Sequence, residues 1–244
     1  EYCPSNLKNI ERLDIKFSES MIRQVLRDVC QGLRHLHKQK IVHLDIKPGK
    51  PLIFIKSKFP TINLENILFS RTSKYKIADL GLSRIAERSP SEDINEGDSR
   101  YLAPELLDDS TENLPDLTKA DIFSLGVTIY ELMTRNFKSP YLLLNSARLG
   151  QEMPKNGPEW HAIRNGVLPR LDNLKNYSNS LKGIIKLMMS RNPDKRPSAN
   201  ELISNYLPSD IELELKWERT EKELLKKQLN ELKEKYECKR KNSY

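Results

Sequence analysis

His43-Leu44-Asp45-Ile46-Lys47-Pro48 is the stretch on which the reading of this chain turns, with three later ones: Glu65-Asn66-Ile67-Leu68, Asp79-Leu80-Gly81 and Ala103-Pro104-Glu105. All four are polar clusters set between regular segments. Upstream of the first, Ser18 can cap a helix, and Ile22, Val25, Leu26, Val29, Leu33 and Leu36 recur at the spacing of one buried helical face. An amphipathic helix ending near His37 is predicted. Ile41 and Val42 begin a short strand that runs straight into His43. The second and third clusters sit on two further short strands, 67–70 and 76–78, joined by 71–75. A polar stretch, 84–100, leads to the fourth.

Beyond it the pattern changes. Within 118–133, Ile122, Phe123, Leu125, Val127, Ile129, Tyr130, Leu132 and Met133 point in nearly every helical direction. A helix apolar all round lies at the centre of a domain. Thr118, with Asp121 three residues later, reads as its capping box. Leu181, Ile184, Ile185 and Met188 mark another amphipathic helix. From Asp210 the composition shifts to Glu, Lys and Leu, and a long charged helix is predicted. Leu225, Leu229, Leu232 and Tyr236 fit a coiled-coil seam, but two heptads also suit a solvated helix packing on the domain.

The totals bound the function classes. The 244 residues are 37% hydrophobic and 31% charged, enough to bury a core. No apolar run approaches bilayer length. Cys3, Cys30 and Cys238 are odd in number and far apart, against a disulfide framework or a zinc site. The net charge of +7 suits an acidic partner, a nucleotide or a nucleic acid, but charge alone does not choose among them. The first residue is Glu1, without a signal-peptide pattern, so the chain is expected to be an excised piece.

The four clusters stand in the order of the catalytic loop, metal-binding loop and activation-segment end of protein kinases. The chain resembles a eukaryotic protein kinase from the hinge through the C-terminal lobe. The resemblance implies a kinase-like α+β fold, of which 1–208 is the hinge and the mainly α-helical lobe with a few short strands, and 209–244 a helical tail. It also implies roles. Phosphoryl transfer needs placement and charge neutralisation. Asp45 would orient the attacking hydroxyl and accept its proton. Lys47 would offset charge on the transferred group. Asn66 and Asp79 would hold Mg2+, which prefers hard oxygen ligands. Glu1 and Cys3 resemble the hinge that contacts the adenine of ATP. His43 would brace the catalytic loop, Asp121 anchor its amides, and Glu105 and Arg196 form a buried structural ion pair.

Three departures narrow the family. Leu44 stands where many kinases have an arginine that receives an activation-loop phosphate, so that receptor is lost. The metal motif is Asp-Leu-Gly. Asp98 stands where many Ser/Thr kinases have threonine. All three resemble the Wee and Myt kinases that restrain entry into mitosis, and Asn156-Gly157-Pro158-Glu159-Trp160-His161-Ala162-Ile163-Arg164-Asn165-Gly166 and Ser70-Arg71-Thr72-Ser73 resemble the Wee branch. Myt relatives carry a membrane span; none is visible, which favours Wee. The implied substrate is a tyrosine of a cyclin-dependent kinase in its cyclin complex, with no nucleic acid or membrane partner, and the implied location is nuclear, otherwise cytoplasmic. Lys47 alone would indicate a Ser/Thr acceptor, so the tyrosine rests on resemblance. Asp98 is expected to pair with Lys47 and reshape the acceptor site.

Two features break the pattern. The Gly-rich loop, the strand lysine and its glutamate partner belong before Glu1, so the stretch alone is expected to be inactive. The catalytic loop is also interrupted. Deleting 49–64 restores His-Leu-Asp-Ile-Lys-Pro-Glu-Asn-Ile-Leu-Phe. Gly-Lys can be encoded GGTAAG and Asn-Leu-Glu AATTTAGAA, a splice donor and acceptor, so 49–64 reads as a retained intron. A real insertion would have to keep Lys47 and Asn66 in register, which is hard to arrange. The segment 137–148 is also longer than the Wee pattern. His35 and His37 read as ordinary helix residues, and Trp160 as a packing residue. A rival reading makes the chain a catalytically dead kinase-like module that binds a partner.

Overall fold

The computed structural model describes residues 5–6, 17–47, 66–70, 72–86, 97–107, 116–134 and 153–207. The chain divides into two units, Glu1–Tyr206 and Leu207–Tyr244, and every described element belongs to the first. Segments 49–64 and 137–148, the tail helix, and the hinge residues Glu1 and Cys3 lie outside the described residues.

Helix α1 (Glu19–Lys38) begins where sequence places it. Ser18 is extended (φ −72°, ψ 162°), and its hydroxyl accepts the Met21 N–H at 3.2 Å, satisfying an end donor the helix cannot use itself. Ile22, Val25, Leu26, Val29 and Leu33 are fully buried, each worth about 1.5–3 kcal/mol relative to exposure. Cys30 joins them, and burial pushes its thiol up to about 12, so it packs as a small apolar group. The Asp28 carboxylate, also buried, accepts the Tyr75 N–H at 3.1 Å and ties the helix to the strands.

Those strands are short. β1 (Ser5–Asn6), β3 (Ile67–Phe69) and β4 (Tyr75–Ile77) form an antiparallel sheet in the order β1-β3-β4, with Ser5 opposite Phe69 and Ile67 opposite Ile77. β2 (Ile41–Val42) pairs antiparallel with β5 (Arg84–Ile85), Ile41 opposite Ile85. β5 falls inside the stretch that composition marks only as polar.

Helix α2 (Thr118–Thr134) is the centre of the lobe, and every residue from Ala120 to Thr134 is buried. Its polar side chains are used. Ser124 donates to the Tyr101 carbonyl at 2.8 Å, Thr128 to the Ile46 carbonyl at 3.4 Å, and Glu131 accepts the Tyr101 hydroxyl. The expected Thr118–Asp121 capping box does not form. Asp116 closes the helix start instead, accepting the Thr118 N–H at 3.0 Å and its hydroxyl at 2.7 Å. Asp121 is unavailable because its carboxylate is claimed by the catalytic loop, as described below. α3 (Pro158–Arg164) follows, then α4 (Asn179–Met188), whose Leu181, Ile184, Ile185 and Met188 are buried as expected. α4 packs on α2 at Gly126, where a Cβ would stand 2.7 Å from Met189 Cγ. A turn at Pro193–Lys195 and α5 (Ala199–Glu201), continued by a π-helical turn Leu202–Tyr206, complete the unit. The result is the mainly α-helical lobe with few short strands that the sequence implied.

Candidate active site

The loop after β2 is held from below by α2. Asp121 Oδ2 accepts the His43 N–H at 2.9 Å and Oδ1 accepts the Leu44 N–H at 2.8 Å. With both amides fixed, Leu44 is held at φ 62°, a left-handed conformation that costs a side-chain-bearing residue about 1–3 kcal/mol. His37 Nε2 lies 2.8 Å from Asp121 Oδ2, so the last turn of α1 completes the anchor. His37 therefore has a specific partner and is not the ordinary helix residue its surroundings in sequence suggest. We expect Asp121→Asn to destabilise the fold by about 1–3 kcal/mol, because an amide presents one NH2 group to these donors. Thermal melting measures the loss, and unchanged stability would contradict the anchoring role.

His43 braces the loop sideways. Its Nδ1 accepts the Asp45 N–H at 3.2 Å, which leaves the ring proton on Nε2 to donate to the Ala78 carbonyl at 3.1 Å. The Ala78 N–H in turn donates to the Asn66 carbonyl at 2.9 Å. Catalytic loop, Asn66 and the residue before Asp79 are thus tied in one chain of bonds. Asp79 itself is exposed and left-handed (φ 64°), and its Oδ1 accepts the Gly81 N–H at 3.0 Å.

Asp45 is the hub. Lys47 Nζ reaches its two oxygens at 2.8 and 2.7 Å, and Asn66 Nδ2 donates to its Oδ2 at 2.7 Å and to its main-chain carbonyl. Lys47 and Asn66 therefore stand in register on one carboxylate. Both meet on one carboxylate because each is tethered separately: Lys47 by the loop on Asp121, Asn66 by β3 and Ala78. Asn66 spends its amide protons on Asp45, so its carbonyl oxygen is the atom left for a cation. Among the described residues there is no group of three or more His, Cys, Asp and Glu side chains that could hold a metal. Asn66 and Asp79 still fit a magnesium ion, which takes one or two protein ligands and completes its shell with water and phosphate oxygens.

The activation-segment end corrects a second expectation. Asp98 pairs with Arg100, Nε to Oδ1 at 2.9 Å, and not with Lys47. The planar guanidinium two residues away engages both carboxylate oxygens, while Lys47 is already taken by Asp45. Burial pushes the Asp98 carboxyl up. Hydrogen bonds from Arg100 and the charges of Arg100 and Lys47 outweigh this and hold it below the usual carboxylate value. A Cβ on Gly97 would stand 3.0 Å from the Leu44 carbonyl and 3.2 Å from Asp45 Oδ1, so glycine lets the segment lie on the catalytic loop. Trp160 Nε1 donates to the Ser99 carbonyl at 2.9 Å and Arg164 Nη2 to the same oxygen. The Arg164 guanidinium lies 3.7 Å over the Trp160 ring, and burial lowers its pKa to about 10. Trp160 thus holds the activation segment and does more than pack. Its acceptor is a main-chain carbonyl, which leaves no signal in sequence.

Glu105 and Arg196 pair as expected, Nη1 to Oε1 at 2.6 Å and Nη2 to Oε2 at 2.8 Å. The remaining guanidinium donors go to the carbonyls of Ser190 (2.7 Å), Lys119 (3.0 Å) and Arg191 (3.2 Å).

A sequence model of the protein kinase domain matches residues 1–207. The Wee1-like protein kinase 1-B of Xenopus laevis is 34% identical over 227 residues, 87% of this chain and 34% of that protein. The membrane-associated tyrosine- and threonine-specific cdc2-inhibitory kinase of Drosophila melanogaster is 33% identical over 206 residues, 84% of this chain and 32% of that protein. The Wee1-like protein kinase of the same fly is 32% identical over 261 residues, 96% and 38% respectively. The chain spans about a third of the length of these curated relatives.

Proposed function

Since the chain belongs to the protein kinase family, we propose that it transfers the γ-phosphate of ATP to the inhibitory tyrosine of a cyclin-dependent kinase in its cyclin complex, restraining entry into mitosis from the nucleus. The observation that carries this reading is the meeting of Lys47 and Asn66 on the Asp45 carboxylate. The likeness to Wee1-like kinases and to a cdc2-inhibitory kinase supports the substrate.

In this mechanism Asp45 orients the substrate hydroxyl and takes its proton as the oxygen attacks phosphorus. Lys47 holds that carboxylate in place and adds positive charge where negative charge gathers on the transferred group. Asn66 and Asp79 would hold Mg2+, which would supply further neutralisation of the phosphates. Glu1 and Cys3, by resemblance, hold the adenine.

The test uses protein made from its natural transcript, with radiolabelled ATP, Mg2+ and a cyclin-dependent kinase–cyclin complex. Label on the tyrosine of the acceptor's phosphate-binding loop is expected. Label confined to serine or threonine would sink the tyrosine assignment. No label, with binding to the complex retained, would leave the catalytically dead module. We also propose, from the motif restored by its deletion and the splice-like codons at its ends, that 49–64 is a retained intron. Sequenced mature transcripts should lack its codons, and their uniform presence would refute it.

A further inference from the structure

An open groove of about 960 Å³ lies over α4, away from the residues assigned to phosphoryl transfer. Three cations line it, Lys186, Arg191 and Lys195, and none of its lining residues is acidic. Between them its surface is more apolar than polar: Leu187 is 39% and Tyr206 36% exposed, two of the few large apolar side chains that are so among the described residues.

The sharpest observation is Gly183. It stands in the interior of α4, where glycine weakens a helix relative to almost any other residue. At Gly126 the neighbouring helix explains a glycine, because a Cβ would collide. At Gly183 a Cβ would meet nothing within 4 Å, and the residue lines the groove. Among the described residues no packing requires glycine there, and the missing side chain leaves the groove open.

We propose that this groove docks an acidic segment of a partner protein, which seats one bulky apolar side chain over Gly183 against Leu187 and Tyr206. The charge is complementary, because Lys186, Arg191 and Lys195 line the groove and no acidic side chain does, which favours acidic sequences over basic ones. An apolar anchor in a ringed pocket is where binding energy concentrates. The Lys186–Asp172 pair at the rim, 2.8 Å apart, is exposed on both sides and yields readily to a competing carboxylate. The groove also borders the activation-segment support. Ser190 and Arg191 line it, and their carbonyls are bonded by Arg196, the partner of Glu105. The inference stands on the groove itself and survives if the phosphoryl-transfer reading fails.

The test measures fluorescence anisotropy with a short labelled peptide of alternating glutamate and leucine, and a lysine–leucine counterpart, on the full chain. The acidic peptide should bind and the basic one should not. Gly183→Leu should weaken binding about tenfold while its melting temperature matches or exceeds that of the unaltered protein. Lys195→Glu should weaken it as well, and added salt should weaken the unaltered protein's binding. Absence of binding to the acidic peptide, equal binding of the two peptides, or indifference to Gly183→Leu overturns the proposal. Binding to phosphatidylserine vesicles or to a single-stranded oligonucleotide at the same variants, in place of the peptide, overturns it in favour of those surfaces.

Discussion

Asp45→Asn should lower kcat for phosphoryl transfer by about 10²–10⁴-fold and leave KM for ATP nearly unchanged. The amide keeps the shape of the carboxylate but cannot accept a proton at neutral pH. It also loses the charge that draws Lys47 Nζ to 2.7 Å. Lys47 is partly exposed, so water takes up its released ammonium, and the change in stability should stay within about 1 kcal/mol. The effect is then expected in the chemical step, because Asp121 and His43 hold the loop through its main chain independently of this contact. Steady-state kinetics on protein made from its natural transcript, with melting as the control, reads both quantities. An unchanged kcat would remove Asp45 from the mechanism. A loss of activity matched by a loss of fold would make its role structural. Asp45→Glu separates the two further, since it keeps the charge and displaces the oxygens.

What could be read in advance follows a physical division. Features carried by local periodicity were legible. Ser18 and the spacing from Ile22 to Leu33 define α1, and the all-round apolarity of α2 places it in the centre. Features carried by a family order of motifs were legible too. Asp121 holds the His43 and Leu44 amides, and Glu105 meets Arg196 across ninety-one positions. Contacts that depend on which of two candidates is nearer in space were not. Asp98 had both Lys47 and Arg100 as possible partners, and only the fold shows that Asp45 already occupies the lysine. His37 and Trp160 escaped for another reason. Their partners are a carboxylate eighty-four positions away and a main-chain carbonyl sixty-one positions away, and neither leaves a local pattern.

Arg196→Met should be the most destabilising single change considered, at about 3–5 kcal/mol. That is a large part of the 5–15 kcal/mol that holds a typical domain together. Methionine fills much of the space but donates nothing. Glu105 would keep a carboxylate in a nearly buried site with its bidentate partner gone, and the carbonyls of Ser190, Lys119 and Arg191 would each lose a donor. The contact of the guanidinium with the Phe123 ring, 4.8 Å from the centroid, would go as well. For a unit of this size the melting temperature should fall by roughly 6–20 °C. The informative comparison is Glu105→Leu combined with Arg196→Met. Much of the single variant's cost is an orphaned buried charge and not the lost attraction, so removing that charge should recover part of the stability. A double variant less stable than Arg196→Met alone would contradict this. It would mean that the three carbonyl bonds, and not the ion pair, carry the effect, and that Glu105 contributes through packing. In either case the activation segment loses its tether to α2 and the 190–196 loop. Activity should therefore fall in the double variant even where the fold recovers, which distinguishes a support for the catalytic surface from a support for the lobe as a whole.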